Sequence, residues 1–322
     1  MKNYKVSILI PVYNVSDFIL RCMESVSLQT YDGELECILV DDCGSDNSIE
    51  LARKFIESYQ GKVFFQIVHH EHNRGLAAAR NTAVANAKGD FVFHLDSDDW
   101  LEPTAIDQLV LKQQETGADI VSGQALKHSQ NGTSILKDPD YKTPDEMVKC
   151  MIEMTIVHVI WRRLIRRSLY VDNNIKTVEG VNVGEDYLTI PRLAYYAKNV
   201  ATIDEVVYHY NCLNTNSYMA MGFNINRFRS DLRSIETLQD FFSDKDVYCV
   251  NRLNEIKRDF LKSWMKFAAV TDNIIAYNEI KSYAGNDSQD LECWKKVWII
   301  RMKNKMKKNV KKNLHWRKNE KF

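Results

Sequence analysis

Short apolar runs alternate with amphipathic segments along the first 125 residues of the chain. A short apolar run bounded by turn-forming residues is typical of a buried strand, and apolar residues at i, i+4 and i+8 are typical of a helix. The predicted strands are 6–10, 36–40, 63–68, 91–95 and 119–124, and the predicted helices begin near 16, at 49, at 76 and after 103. This alternation predicts a mostly parallel, doubly wound α/β sheet.

The pattern changes after residue 125. Residues 126–150 are polar and predict a loop-rich connector, in which Thr143 and Glu146 mark a helix start. The run 161–169 is Trp-Arg-Arg-Leu-Ile-Arg-Arg-Ser-Leu, and in a helix its arginines would lie in like-charged pairs. Two interpretations stay open: a solvated or internally paired segment, or a contact with an acidic acceptor or its lipid phosphates. Beyond residue 224, helical spacing predicts core-facing stripes at Phe228, Leu232, Ile235 and Leu238, and at Phe260, Trp264, Phe267 and Ala268.

Polar side chains follow three of the predicted strands. Asn14 follows the first strand, Asp41 the second, and Asp96 and Asp98 the fourth. The carboxyl ends of parallel strands form the ligand-binding edge of such a sheet. Side chains alternate along a strand, so Asp96 and Asp98 can point the same way, and their like charges then require a cation. Mg²⁺ or Mn²⁺, shared with the phosphates of a ligand, would supply it, whereas the alternative is a polar turn that caps the next helix.

Two common nucleotide folds are disfavoured, because the sequence has neither Gly-x-Gly-x-x-Gly after the first strand nor a Gly-Lys-Ser/Thr loop. The charge is also unevenly distributed. The chain has 43 basic and 43 acidic residues, but 295–322 contains 12 Lys or Arg and one acidic residue, so this tail is +11 and the rest −11. Interleaved tryptophans and aliphatics predict a tail that lies on an anionic membrane surface rather than on nucleic acid; a partly disordered, solvated tail is the alternative.

The cysteines indicate a reducing compartment. There are seven, an odd number, with no Cys-x-x-Cys spacing. The N-terminal apolar stretch breaks at Pro11, too early for a signal peptide, and no apolar run reaches 18 residues. The expectation is a cytoplasmic protein, peripheral on the inner face of the membrane.

Taken together, these pieces resemble the family 2 glycosyltransferases, which have the GT-A fold. The matching segments stand in the family's order: 11–14 (Pro-Val-Tyr-Asn), 40–42 (Val-Asp-Asp), 73–81 (Asn-Arg-Gly-Leu-Ala-Ala-Ala-Arg-Asn) and 96–99 (Asp-Ser-Asp-Asp). The resemblance is strong over roughly 4–125 and weaker to about 220. One departure is visible: the family's usual Asp-Asp-Gly-Ser turn is Asp-Asp-Cys43-Gly44 in this chain, which leaves the shape of the turn open.

The resemblance implies a site for a nucleotide-diphosphate sugar and a divalent metal, Mg²⁺ or Mn²⁺. Asp41 is similar to the carboxylate that reads the uracil edge, and Arg74 to a residue near the base and phosphates. Asp98 is similar to the metal ligand, with Asp96 on the ribose or metal side. The implied donor-binding residues are Pro11, Val12, Tyr13, Asn14, Asp41, Asp42, Arg74, Asp96 and Ser97.

The resemblance also implies a catalytic base in the second half. On their own, Glu185 and Asp186 before an apolar run read as the first turn of a helix, where acids favour the dipole. In the family, the Asp of such a pair is the base, so Asp186 matches the base and Glu185 its neighbour. One base and one metal-bound leaving group imply direct displacement, which inverts the sugar carbon.

The resulting hypothesis is a metal-assisted, inverting glycosyltransferase that moves a sugar, preferably from a UDP-sugar, to a hydroxyl of a glycan or lipid-linked acceptor. The predicted domains are a GT-A domain at 1–220 (donor half to about 125, acceptor half from 126), a helical extension at 221–292 and a basic amphipathic tail at 293–322. One alternative is a nucleotide-sugar-binding scaffold without transfer activity. The other is a nucleotidyltransferase, which would be expected to carry a Gly-rich basic loop after the first strand.

Overall fold

The computed structural model describes residues 3–214, 225–271, 273–283, 298–300 and 302–307 of the chain. The chain divides into two compact units, Met1–Phe241 and Phe242–Phe322. All strands of the described residues lie in the first unit, and the described part of the second is helical. Most of the predicted tail, 293–322, lies outside the described residues.

The elements follow the predicted alternation over the first 125 residues. The strands are β1 Val6–Val12, β2 Leu35–Asp41, β3 Phe64–His69, β4 Phe91–His94, β5 Trp100–Leu101, β6 Ile120–Ser129, β7 Gly132–Leu136, β8 Arg163–Arg166 and β9 Val200–Asn211. The helices up to residue 283 are α1 Ile19–Ser27, α2 Ser48–Ser58, α3 Leu76–Asn86, α4 Ala105–Thr116, α5 Pro144–Ile152, α6 Arg167–Asp172, α7 Glu185–Tyr196, α8 Ile225–Phe242, α9 Val247–Val270 and α10 Ile274–Tyr283.

One sheet contains the strands of the described residues, in the order β3-β2-β1-β4-β8-β6-β9-β5, with β7 paired to β6. Strands β3, β2, β1 and β4 are mutually parallel, and the register pairs Ile10 with Leu39 and Leu9 with His94. Strand β8 is antiparallel to both β4 and β6, so the sheet becomes mixed beyond β4. The predicted α/β sheet is confirmed, and its parallel strands bring their carboxyl ends to one edge.

Parallel strands covered on both faces are mostly apolar along their length. This is why the strands of the first 125 residues could be predicted from the sequence. All seven residues of β1 are buried, and in β2 only the terminal Asp41 is partly exposed. Helix α3 buries a row of alanines, whose small side chains let it pack closely on the sheet. A single cation, Arg80, lies on that same buried face at 2% exposure.

The predicted connector at 126–150 is wrong over its first part. Strand β6 continues to Ser129 and pairs with β7 in an antiparallel hairpin. The turn contains Asn131-Gly132, a strong hairpin signal, and Gly132 has the positive φ of 103° that such a turn requires. The predicted helix start is confirmed, because the Thr143 hydroxyl accepts a hydrogen bond of 3.2 Å from the backbone N–H of Glu146.

The segment at 161–169 is not one helix. Residues 163–166 form β8, and only the following α6 is helical. Both Arg162 and Arg163 are fully buried and donate to the two carboxylate oxygens of Asp138, with a 2.6 Å bond from Arg163 Nη2. The internally paired interpretation therefore holds for these two arginines. A central strand has both faces buried, so its charges must be neutralised from inside the protein.

Helices α8 and α9 test the predicted stripes. The first is confirmed, since Phe228, Leu232, Ile235 and Leu238 are buried. The second is confirmed at Ala268, which is buried, and is wrong at Phe267, which is 40% exposed. Phe260 and Trp264 are partly buried, and the buried side chains beside Ala268 are Leu261 and Met265. A bulky aromatic stripe and an aliphatic stripe lie side by side on this helix, and the aliphatic one faces the core. Among the described residues, we find no helix with the length and apolarity needed to cross a membrane.

Candidate active site

The acidic loop after β4 is a tight turn anchored by one of its own carboxylates. The backbone N–H of Asp99 donates to the carbonyl of Asp96 at 3.0 Å. The Asp99 carboxylate is buried and accepts from the Tyr208 hydroxyl at 2.6 Å and from the backbone N–H of Asn211 at 2.7 Å. Burial, reinforced by Asp98 and Asp96, raises the pKa of Asp99 well above its ordinary value. Asp99 therefore fixes the loop to β9, and two other carboxylates remain to act on a ligand.

Those two carboxylates are Asp96 and Asp98. The side chain of Asp96 is 26% exposed, and one of its oxygens accepts from Arg80 Nη2 at 3.0 Å. Asp98 is partly buried and accepts from Asn214 Nδ2 at 2.8 Å, while Ser97 between them is buried. Burial and then the charge of Asp96 raise the pKa of Asp98, as expected for two acids that face one another without a cation.

The donor chemistry of this pair fits a hard divalent cation. No cluster of three or more His, Cys, Asp or Glu side chains suited to a metal is found in the described residues. Two carboxylates are nevertheless the number that Mg²⁺ uses when waters and substrate phosphates complete its coordination. A cation bound there would offset the charge of both acids, which lie in a partly buried loop.

A second group of polar residues surrounds the ends of β1 and β2. Asn14 adopts a positive φ of 52°, and its side-chain oxygen accepts from the backbone N–H of Ser45 at 2.7 Å. A Cβ at Gly44 would lie 2.9 Å from the backbone nitrogen of Asn14, so only glycine fits there. Cys43, where the family usually has glycine, is itself left-handed at φ 56°. The chain thus holds the strained turn with a cysteine and uses its glycine for the close approach.

The two aspartates at the end of β2 have different surroundings. Asp42 is buried, and its carboxylate accepts from the backbone N–H groups of Arg74 and Gly75, both at 2.8 Å, and from His70 Nδ1 at 2.6 Å. It therefore shapes the turn before α3. Asp41 is more exposed; its carboxylate caps the backbone N–H of Cys43 at 3.0 Å and contacts His69 Nδ1 at 2.7 Å. Of the two, Asp41 is the one open to a ligand.

The remaining predicted donor residues lie beside these. Pro11 and Val12 end the buried strand β1, and Tyr13 after them is 46% exposed. The guanidinium of Arg74 is exposed and donates to Glu179 Oε1 at 2.7 Å. Glu179 belongs to the segment that leads into α7, so the two halves of the first unit meet at this pair.

A buried arginine joins the acidic loop to the predicted base. Arg80 Nη2 lies 3.0 Å from Asp96 Oδ1 and 3.5 Å from Glu185 Oε1, and Arg80 Nε lies 3.8 Å from Asp186 Oδ1. Burial lowers the pKa of Arg80, but the three carboxylates raise it more, so the guanidinium stays charged. Carboxylates from two distant parts of the sequence are thus held around one cation.

Two acids of this cluster, Glu185 and Asp186, lie in the first turn of α7. Gly184 precedes them with φ 84°, and a Cβ there would lie 2.9 Å from the Ser234 hydroxyl oxygen of α8. Asp186 accepts a 3.0 Å bond from the backbone N–H of Ile160 on one oxygen, while the other accepts no hydrogen bond in the described part of the chain. Burial raises the pKa of Asp186 to about 6 and, together with Asp186, raises that of Glu185.

Several residues of this site were not predicted from the sequence. Arg80 belongs to the 73–81 segment. The sequence feature that could have identified it is a single cation among the alanines of a buried helix face. Tyr208 and Asn211, which hold Asp99, lie on β9 more than 100 residues away, and nothing local to them marks that contact.

Solved structures share this fold. The Staphylococcus aureus TarS 1–349 fragment in complex with UDP-GlcNAc aligns with a TM-score of 0.62 over 87% of this chain and 91% of that one, at 18% identity. The mannosyltransferase PcManGT from Pyrobaculum calidifontis, in complex with GDP-Man and Mn²⁺, aligns with a TM-score of 0.55 over 94% of this chain and 88% of that one, at 15% identity. The predicted GT-A fold, with its C-terminal helices, is confirmed.

Sequence comparison places the chain within a family. The model for Glycosyl transferase family 2 matches residues 7–172, just over half of the chain. EpsH of Bacillus subtilis (strain 168) is 26% identical over 291 residues, which cover 88% of this chain and 79% of EpsH. The chain belongs to glycosyl transferase family 2 and is a glycosyltransferase, as the motifs predicted.

Proposed function

We propose that this glycosyltransferase moves a sugar from a UDP-sugar to a hydroxyl of a glycan or lipid-linked acceptor, with metal assistance and with inversion at the sugar carbon. The observation that carries the proposal is the Arg80 cluster. It holds Asp96, on the donor side, and Asp186, the candidate base, around one guanidinium. A leaving group and a nucleophile must meet at one carbon, so the residues that serve them must lie this close.

The donor would bind at the carboxyl edge of β1, β2 and β4. Asp41 can accept the N–H of a uracil edge, with Pro11, Val12, Tyr13 and Asn14 along the base. Arg74 is exposed and positioned to exchange Glu179 for a phosphate or the base. Asp42 contributes by shaping the Arg74 turn, since its oxygens are occupied. The TarS fragment bound to UDP-GlcNAc and PcManGT bound to GDP-Man support a nucleotide sugar as the donor class.

Asp98 and Asp96 would hold Mg²⁺ or Mn²⁺, and Ser97 would keep them apart. Bound there, the cation would act as a Lewis acid that stabilises the charge of the departing diphosphate. The chain's own part is to fix this loop, through Asp99, Tyr208 and Asn211.

Asp186 would remove the proton of the acceptor hydroxyl. Burial raises its pKa to about 6, which leaves it ionised at neutral pH and more basic than an ordinary aspartate. The backbone N–H of Ile160 orients one oxygen, and Arg80 favours the ionised form. Glu185 Oε1 lies 3.5 Å from Arg80 Nη2, so Glu185 would help to hold the guanidinium in place. With one base and no covalent intermediate, displacement inverts the anomeric carbon.

The acceptor and the place of action are part of the same proposal. The support from EpsH of Bacillus subtilis is its sequence similarity to this chain. TarS, whose name is poly(ribitol-phosphate) beta-N-acetylglucosaminyltransferase, is 23% identical over 222 residues, covering 68% of this chain and 37% of TarS. A surface polysaccharide or its lipid-linked precursor, met at the inner face of the membrane, is the acceptor class that we propose.

The first experiment separates donor binding from chemistry. Thermal melting with UDP, GDP, CDP and their sugars, each with Mn²⁺ and with EDTA, should give a metal-dependent rise with the uridine ligands, since a ligand of the folded state stabilises it by mass action. Asp98→Asn should abolish the metal-dependent part. Asp186→Asn should keep the rise but lower transfer by roughly 10²–10⁴-fold, the usual contribution of a general base.

Asp32→Asn is the matched control for both variants, because the Asp32 side chain is fully exposed. Asp32 precedes the start of β2, whereas the candidate site lies at the carboxyl ends of the strands. This control should leave melting and transfer unchanged. Full transfer by Asp186→Asn would contradict the assignment of the base. Absence of any nucleotide-dependent shift in the wild-type protein would contradict the donor site.

A further inference from the structure

The second unit exposes a row of large apolar side chains near its C-terminal end. Residues 298–300 and 302–307 are helical. In this segment Trp298 is 58% exposed, Ile299 46%, Met302 41% and Met306 56%. Four large apolar side chains at such exposure on nine described residues exceed what scattered surface hydrophobics would give.

The spacing of these side chains along the sequence places them on one side of a helix. At about 100° per residue, Trp298, Ile299, Met302 and Met306 fall within an arc of about 100°. Lys303 and Lys305 fall on the two margins of that arc, and both are exposed. Long basic side chains that flank an apolar arc are the arrangement in which lysines keep their charge at a headgroup layer while the helix body is immersed.

The helix is turned with its apolar side outward. Asn304 falls on the opposite side from the apolar arc, is partly buried, and its Nδ2 donates to the carbonyl of Val270 at the end of α9. A surface helix of a soluble protein normally buries its apolar side and exposes its polar side. In this helix the polar side meets the protein, so its apolar side is left for another medium.

We call these four side chains, Trp298, Ile299, Met302 and Met306, the apolar face. Other elements of the same unit also expose apolar side chains: Val270 at the end of α9 is 53% exposed, and Ile274 and Ile275 at the start of α10 are 51% and 77% exposed.

We propose that the apolar face docks on an anionic lipid bilayer, with Lys303 and Lys305 at the headgroups. Charge complementarity selects this occupant: both lysines are exposed, and the sequence 295–322 carries 12 basic residues and one acidic residue. A lysine near an anionic surface strengthens binding by roughly fivefold, so a few suffice to favour anionic over neutral lipid. The proposal rests on the proposed function for its membrane partner and specifies the protein surface and the lipid class. Membrane docking itself requires no donor, metal or sugar transfer.

Co-sedimentation of the full chain with vesicles tests the proposal. Vesicles with phosphatidylglycerol should bind the wild-type protein more than tenfold better than pure phosphatidylcholine vesicles, and added salt should weaken the binding. Trp298→Ser with Met302→Ser should weaken it by tenfold or more. Lys303→Glu with Lys305→Glu should remove the preference for the anionic vesicles. All four side chains are exposed, so melting should not change.

Val171→Ser is the matched control, because Val171 is a 56% exposed aliphatic residue of the first unit, outside the apolar face. It should bind vesicles as the wild-type protein does. Equal binding to neutral and anionic vesicles, or unchanged binding of the serine variant, would overturn the proposal. A second outcome would also overturn it: the wild-type protein forms a concentration-dependent dimer and does not bind vesicles, and the serine variant abolishes the dimer. The apolar face would then contact a second copy of the chain. Because no sugar is transferred in this test, its failure is distinguishable from failure of the proposed function.

Discussion

The two buried arginines at the start of β8 give the sharpest prediction of stability. Arg162 and Arg163 are both fully buried, and Asp138 is the carboxylate that they share. Asp138→Asn keeps the size of the side chain and removes its charge. Two guanidinium groups would then remain in the interior without that counter-ion, which is the costly case for a buried ion pair.

The expected loss follows from this burial. Breaking a buried pair by removing one partner costs about 3–5 kcal/mol, and the three side chains are 0–1% exposed, so solvent screening gives no discount. For a unit of this size, each kcal/mol corresponds to a fall of about 2–4 °C in the melting temperature. Asp138→Asn should therefore lower the melting temperature of the first unit by roughly 6–20 °C.

Differential scanning calorimetry with urea denaturation would measure this change. Asp140→Asn is the matched control two residues away, because its pair with Lys142 is 74% exposed on both sides and should change stability by less than about 1 kcal/mol. A second comparison replaces the whole cluster by apolar residues: Asp138→Leu, Arg162→Met and Arg163→Met together should recover much of the loss. A loss below about 1 kcal/mol for Asp138→Asn would refute the account of the cluster as a buried ion pair.

Four further outcomes are expected. Gly184→Ala should cost about 1–2 kcal/mol in urea denaturation and lower transfer, because φ is 84° and the new Cβ would lie 2.9 Å from Ser234 Oγ; unchanged stability would contradict this. Tyr208→Phe should cost about 1–3 kcal/mol and weaken the metal-dependent melting shift, since it removes the 2.6 Å bond that anchors the acidic loop. Asp186 must be ionised to act as base, and burial raises its pKa to about 6, so kcat/KM should fall about tenfold per pH unit below 6 and level off above; a flat profile from pH 5 to 8 would contradict its role. Cys43→Val should destabilise by about 1–2 kcal/mol at φ 56°, while Cys43→Gly should be neutral or stabilising.

The donor half was predictable because its evidence is local. Strands buried on both faces are continuous apolar runs, and the polar residues that follow them stand out in the sequence. The ends of β1, β2 and β4 were thus placed at one edge from pattern alone. The pattern did not distinguish two kinds of aspartate. Asp42 and Asp99 are buried and hold loops, whereas Asp41, Asp96 and Asp98 are partly exposed and could contact a ligand.

The second half was harder because its elements depend on distant partners. The arginines at the start of β8 suggested a helix, because charged residues indicate a buried strand only when their counter-ion is known. That counter-ion, Asp138, lies 24 positions before Arg162. The hairpin of β6 and β7 was missed although Asn131-Gly132 marks it, because its strands are polar on their exposed face. In α9 two adjacent stripes were both apolar, and spacing does not say which one faces inward.

The Arg80 cluster has a consequence for how such enzymes could be recombined. The guanidinium comes from α3 in the donor half, while Glu185 and Asp186 come from α7 in the other half. A chimera that joined these halves from two relatives would inherit either an uncompensated buried cation or uncompensated buried acids unless the matching residues travelled together. The boundary near residue 125, which looks like a natural crossover in the linear order of motifs, is therefore a poor one. Changes of acceptor are better sought by exchanging exposed loops while the Arg80 cluster is left intact than by exchanging halves.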